Sequence, residues 1–220
     1  MYVSTSILKA EGLSFSYGPH PQHPQHAPPV LDNLSFVLPP GVSLICGDES
    51  CGKSTLLQLL AGNLSGSGQL HINGVSLQQN KSAYQRQVAW LDLRDTALDN
   101  QTARQIFASL PHQHPERDPD ALQQTLQTHI DGLSLQPHLD KALYMMSTGT
   151  RRKVLLATVL SIQAPVTLLD QPFKALDRPS IQYLLDLLTA AARHPGQAWV
   201  VADYEPPEGV CLAEVIELGA

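Results

Sequence analysis

The sequence predicts an α/β fold in which a mixed core is interrupted by a small helical lobe. Three observations carry this. Short segments with strand patterning recur between helical ones, as with Leu13, Phe15 and Tyr17 alternating with Ser14 and Ser16, and again with Leu34, Phe36 and Leu38. Residues 47–55 read Gly-Asp-Glu-Ser-Cys-Gly-Lys-Ser-Thr and join a strand-like stretch (Val42, Leu44, Ile45) to a helix-like one (Leu56, Leu57, Leu59, Leu60). From about Thr102 to Leu139 helical patterns and helix starts replace strand signals.

Taken in order, the first two strands end near Tyr17 and at Pro39-Pro40, and a third runs through Cys46 into the glycine-containing loop. A helix is expected from about Lys53 to Ala61, stopped by Gly62. Leu70 and Ile72 precede Asn73-Gly74, a hairpin-turn signal. Val88 to Leu93 reads as a strand. Asp118-Pro119 is an N-cap with proline at the first helical position. Val166 to Asp170 is an apolar strand ending in a carboxylate, Ser180 can cap a helix through Ala192, and Ala198–Ala202 and Val215–Leu218 read as late strands. Pro19 to Pro29 fits neither helix nor ladder, because its prolines remove donors. His20, His23 and His26 would share a side of a polyproline-like turn and could bind Cu, Ni or Zn; a solvated surface insert is the favoured reading.

Residues 47–55 satisfy G-x-x-x-x-G-K-[ST] in the strand–loop–helix context that this motif needs. Its turn gathers backbone N–H groups in one concavity, and the following helix points its positive end at them. Gly47, Asp48, Glu49, Ser50, Cys51, Gly52, Lys53, Ser54 and Thr55 are therefore expected to hold the phosphates of a nucleoside triphosphate, with Lys53 reaching the β- and γ-phosphates and Ser54 on Mg²⁺. Cys51, near a helix N-terminus and Lys53, is a candidate redox-sensitive thiol. The chain of 220 residues carries a net charge of −6, which argues against nucleic acid as a partner. No apolar run approaches membrane-spanning length, and the N-terminus lacks the pattern of a signal peptide. Three cysteines without zinc-type spacing read as free thiols of a reducing cytosol.

Further segments resemble those of the ATP-binding cassette (ABC) ATPases. Val166-Thr167-Leu168-Leu169-Asp170 looks like a Walker B strand, whose Asp170 would share the Mg²⁺. Met146 to Val154 resembles the LSGGQ signature, and Pro172-Phe173-Lys174-Ala175-Leu176-Asp177 resembles the D-loop. Tyr17 stands where the family has an aromatic stacked on adenine. The resemblance spans about Leu13 to Gly219 and implies a P-loop NTPase (RecA-like) core with an antiparallel β subdomain and an inserted small helical subdomain. It implies one domain over 1–220, with core at about 1–93 and 155–220 and helical subdomain at about 94–154. Ser147, which can cap the following helix, and Gly149 would face the γ-phosphate held by a second domain, in a homodimer or a heterodimer with another such domain. A membrane-spanning transporter subunit is the implied partner, placing the chain in the cytoplasm, peripheral on the inner face of the membrane. The basic run Arg151-Arg152-Lys153 reads as a solvated face.

The departures gather at the γ-phosphate. Gln171 stands where the family has a catalytic Glu, and an amide accepts no proton at neutral pH. Leu93 occupies the place of a Gln, with Asp92 beside it, and Asp203 that of the switch His. Thr148, Thr150 and Ser50 also replace family residues. ATP binding with slow or lost hydrolysis is the expectation. A non-transport ATP-dependent switch and an unrelated P-loop kinase are the competing readings; the signature-like segment speaks against the second.

Overall fold

The computed structural model describes residues 6–18, 29–94 and 96–219. His20, His23 and His26, like Met1 to Thr5, lie outside the described residues. Two sheets form the frame. Strands β1 (Leu8–Phe15), β2 (Leu31–Leu38), β4 (Ser67–Ile72) and β5 (Val75–Ser76) make an antiparallel sheet of order β2-β1-β4-β5. Strands β3 (Gly41–Gly47), β6 (Val88–Ala89), β7 (Val166–Asp170), β8 (Ala198–Ala202) and β9 (Leu212–Leu218) make a parallel sheet of order β6-β7-β8-β3-β9. The near-continuous apolar runs of β7 and β8 follow from burial of a parallel sheet on both faces.

Helix α1 (Lys53–Leu60) buries Leu56, Leu57, Leu59 and Leu60 in a core shared by both sheets. Each such leucine is worth about 1.5–3 kcal/mol of burial. The helix ends where Gly62 takes φ 69°, and the buried Tyr84 hydroxyl donates to the Leu60 carbonyl at 2.9 Å. Tyr84 belongs to the short helix α2 (Lys81–Gln85). Asn73 and Gly74, at φ 48° and 79°, make the β4–β5 turn that their identity predicts.

A second core gathers α3 (Ala103–Gln113), α4 (Pro119–Gly132), α5 (Thr148–Ser161) and α6 (Arg178–Ala191) against the parallel sheet. Thr102 and Gln105 form a capping box on α3, and the Asp118 carboxylate caps α4.

Three expectations need correction. The strand at Val88 stops at Ala89, and the chain then turns at 92–94, where the Asp92 carboxylate accepts from the Arg94 N–H at 2.9 Å. Helix α6 is capped by Asp177, not Ser180; Ser180 is its buried third residue and donates its N–H to the Asp177 carboxylate at 3.2 Å. The run 151–153 is not a solvated face, since each of its side chains is engaged by protein.

Candidate functional site

The site lies at the C-terminal ends of β3, β7 and β8, where open α/β sheets place their ligands. Strand order decides which groups meet: β8 lies between β3 and β7. Ile45 and Asp170 both register with Ala202, so the loop after β3, the carboxylate ending β7 and the residues after β8 leave the sheet at one level.

The loop after β3 enters α1 through Gly52, which caps the helix without any side-chain bond. The first helical N–H groups have no partner within a helix, so they are directed at whatever the loop encloses. Ser50 holds φ 63°, the left-handed conformation that glycine adopts more cheaply. Lys53, 6% exposed, donates to the Gly47 and Asp48 carbonyls at 2.6 and 2.7 Å, and its Nζ lies 4.3 Å from the centre of the Tyr204 ring. The Ser54 hydroxyl donates to Asp170 Oδ2 at 2.6 Å.

These groups border a cavity of about 940 Å³ that runs from Tyr17 past Lys53, Ser54, Asp170 and Gln171 to Thr148. Glu49, Ser50, Gly52 and Thr55 also line it. Tyr17, half exposed, accepts or donates a hydrogen bond of 2.8 Å with Thr55 Oγ1 and meets Phe15 edge-on at 4.9 Å. Cys51 does not line the cavity, although Lys53 Nζ donates to its Sγ at 3.7 Å. Burial pushes the neighbouring Cys46 thiol up. All three cysteines are free.

Tyr204 lines both the large cavity and a neighbouring one of about 460 Å³, which Asp203 borders with Phe173, Glu205 and Glu208. The Asp203 carboxylate accepts from the Tyr204 N–H at 2.9 Å. Burial pushes its carboxyl up, and the charge of Asp170 adds to this.

Gln171 follows β7 at φ 45°. Arg152 donates to the carbonyls of Asp170 and Gln171 and so fastens that turn to α5, although burial works against its charge. Arg151 donates to Asp99 Oδ1 at 2.9 Å and to the Leu93 carbonyl at 2.7 Å. The Leu93 side chain itself packs in the core around the helices. Asp92 is engaged by Arg94 Nε at 3.3 Å, and the same guanidinium comes within 3.9 Å of Asp170.

Ser147 caps α5, accepting the Thr150 N–H at 3.1 Å. Gly149 abuts the residues after β7, where a β-carbon would lie 2.5 Å from the Ala175 carbonyl oxygen. Lys153 donates to Asp177 Oδ2 at 2.8 Å. Lys153 and then Ser180 hold the Asp177 carboxyl down at about 2.

Sequence reasoning thus assembled Lys53, Ser54, Asp170 and Gln171, which the fold brings together around one cavity. It missed Arg94, Arg152 and Tyr204. The basic run offered a signal for Arg152; only strand order reveals Tyr204. Ser54 and Asp170 converge as oxygen donors, the chemistry suited to Mg²⁺. No group of three or more His, Cys, Asp or Glu able to hold a metal occurs among the described residues.

Comparison with known proteins agrees with this geometry. The ABC transporter family model matches residues 31–174. The cytochrome c biogenesis ATP-binding export protein CcmA of Pseudomonas syringae is 31% identical over 169 residues, spanning 76% of this chain and 78% of that one. The achromobactin transport ATP-binding protein CbrD of Dickeya dadantii is 32% identical over 183 residues, spanning 78% of this chain and 66% of that one. Among solved structures, the ATP-binding subunit of an ABC transporter superposes with TM-score 0.77 at 20% identity, over 90% of this chain and 80% of that one. A dimeric ATP-binding cassette in a post-hydrolysis state, bound to ADP and Pi, gives 0.72 at 18% identity over 90% and 88%.

Proposed function

The chain belongs to the ABC transporter family, and on that premise we propose that it binds Mg-ATP at an interface between two such domains and hydrolyses it slowly or not at all. ABC ATPase domains bind ATP, dimerise and work with membrane permeases; no helix among the described residues is long and apolar enough to cross a membrane. In this reading the chain is a cytoplasmic subunit held on the inner face of the membrane by a spanning partner. The parallel-sheet core carries the nucleotide, and the helical subdomain, at about 94–154, presents Ser147 and Gly149 to the second domain.

The observation that carries the proposal is the Ser54–Asp170 hydrogen bond of 2.6 Å beside Lys53. With a phosphate loop whose helix has no side-chain cap, it supplies a complete set for triphosphate and cation. Mg²⁺ held by Ser54 and Asp170 would supply positive charge to the β- and γ-phosphates. Tyr17 would stack on the adenine. At the three positions where the family resemblance implies Glu, Gln and His, this chain has Gln171, which can orient water but not take its proton, the buried Leu93, and Asp203, which borders the neighbouring cavity.

A single-turnover assay with trace labelled Mg-ATP tests this. Wild type should turn over little, Gln171→Glu should restore part, and Gln171→Glu with Asp203→His should restore more, because such groups act as a unit. Leu93 is left in place, since a glutamine in that core would bury an amide. Robust wild-type turnover that is abolished by Gln171→Ala but unaffected by Gln171→Glu would overturn the proposal.

A further inference from the structure

The turn after β6 sends two neighbouring side chains to opposite surroundings. Leu93 goes into the core around the helices, while Arg94 lines the large cavity with Lys53, Ser54, Asp170 and Gln171. Asp92 sets the direction of Arg94: its Oδ1 accepts from the Arg94 backbone N–H at 2.9 Å and from Nε at 3.3 Å. The far end of the guanidinium then comes within 3.9 Å of Asp170 Oδ2, the same oxygen that accepts the Ser54 hydroxyl at 2.6 Å. Arg152 lines the cavity too and is fastened to the Asp170 and Gln171 carbonyls. Burial works against the charge of Arg152, and the charge of Arg94 adds to this. An anion within reach of both guanidinium groups would relieve that repulsion.

We propose that Arg94 grips the terminal phosphate of a bound nucleoside triphosphate and so carries part of the positive charge that a divalent cation supplies there. The inference rests on the nucleotide reading of the loop. A guanidinium has donors only, so it cannot ligate a metal, but its planar fork matches two oxygens of a phosphate. Lys53 serves diphosphate and triphosphate alike, because it reaches the β-phosphate of either. Arg94 comes from the other side, by Asp170, so its contact depends on the third phosphate. It is also the more movable cation: its side chain is 64% exposed, against 6% for Lys53 as a whole. Leaving Asp170 for a ligand gives up only a loose, exposed ion pair, and a charge-assisted fork on phosphate is the stronger bond.

Titration calorimetry with ATP and with ADP, each in Mg²⁺ and in EDTA, tests it on wild type, Arg94→Ala and Arg94→Lys. In EDTA, Arg94→Ala should lower ATP affinity about tenfold and ADP affinity by less than about twofold. Mg²⁺ should recover part of that loss, so it should raise ATP affinity more in Arg94→Ala than in wild type. Arg94→Lys keeps the charge without the fork and should fall between the two. A role confined to the turn at 92–94 would move both nucleotides together, so an unchanged ATP-to-ADP ratio in Arg94→Ala overturns the proposal. An equal gain from Mg²⁺ in wild type and Arg94→Ala overturns it too, since Arg94 would then share no charge with the cation. Wild-type protein that binds neither nucleotide in either condition overturns the nucleotide reading and this inference with it.

Discussion

A β-carbon at position 149 would lie 2.5 Å from the Ala175 carbonyl oxygen, a separation no real contact of that kind adopts. Gly149 therefore has a packing reason to be glycine, independent of any role toward a second domain. Ala175 is itself at φ 62°, so that stretch of backbone has little freedom to retreat. Gly149→Ala should destabilise by about 1–3 kcal/mol through overpacking. For a chain of this length that is a fall of roughly 2–4 °C in Tm per kcal/mol, read by scanning calorimetry. Thr148→Ala, one residue earlier on the cavity side, should cost less; equal Tm values for Gly149→Ala and wild type would refute the close approach. Gln171 is a second residue whose backbone matters. Its φ of 45° is sparsely populated for a side-chain-bearing residue, and Arg152 holds its carbonyl.

At the level of elements, α4 and α6 are joined by a buried polar contact. His129 Nδ1 lies 2.9 Å from the Tyr183 hydroxyl, which also donates to the Thr128 carbonyl at 3.3 Å. Burial lowers the His129 imidazole to about 4, against a pull upward from the Leu160 backbone. The folded chain therefore stays neutral at His129 while the unfolded chain, near 6.5, takes a proton. Stability is fully present above about pH 6.5 and falls as pH drops toward 4, by up to about 3 kcal/mol, and levels off below. Urea unfolding at pH 7 and pH 4.5 should show this loss, and His129→Leu should flatten it. Asp177 acts in a separate, lower window with a shift of the same direction but another cause. Its carboxyl, held down at about 2 by Lys153 and Ser180, contributes above its ordinary range and is lost as pH falls toward 2. Asp177 links two elements by its two oxygens, Oδ2 to Lys153 of α5 and Oδ1 to the first turn of α6.

For the whole molecule, the parallel sheet determines one functional edge, and the start of α5 lies on the far border of the cavity that opens there. A second copy approaching this edge would bring its own Ser147 to the phosphate loop. With Mg-ATP, light scattering after size-exclusion should show the 23.9 kDa chain moving toward twice that mass. Ser147→Arg should keep it single, because a bulky cation replaces the small cap of α5. No change in mass at saturating Mg-ATP would count against pairing of identical copies and leave pairing with a different domain to be assayed by co-purification.

Local chemistry determined what the sequence could reveal. The phosphate loop, the apolar strand ending in Asp170, the Asn73-Gly74 turn and the Asp118 cap are legible because each depends on neighbours within a few residues. The alternation of strand and helix patterns gave the α/β class in the same way, and family resemblance added the antiparallel sheet. Strand order was not legible, since it depends on contacts between residues far apart in the chain. Only β8 lying between β3 and β7 brings Tyr204 to the border of the large cavity. Only the docking of α5 beside β7 turns Arg152 from a surface charge into a clamp on the Asp170 and Gln171 carbonyls. The strand at Val88 likewise ended early, with its only pairing among the described residues to Val166 and Thr167 of β7. Sequence specified the candidate groups; tertiary packing decided which of them face the same space, because burial and long-range pairing set side-chain direction where local propensity does not.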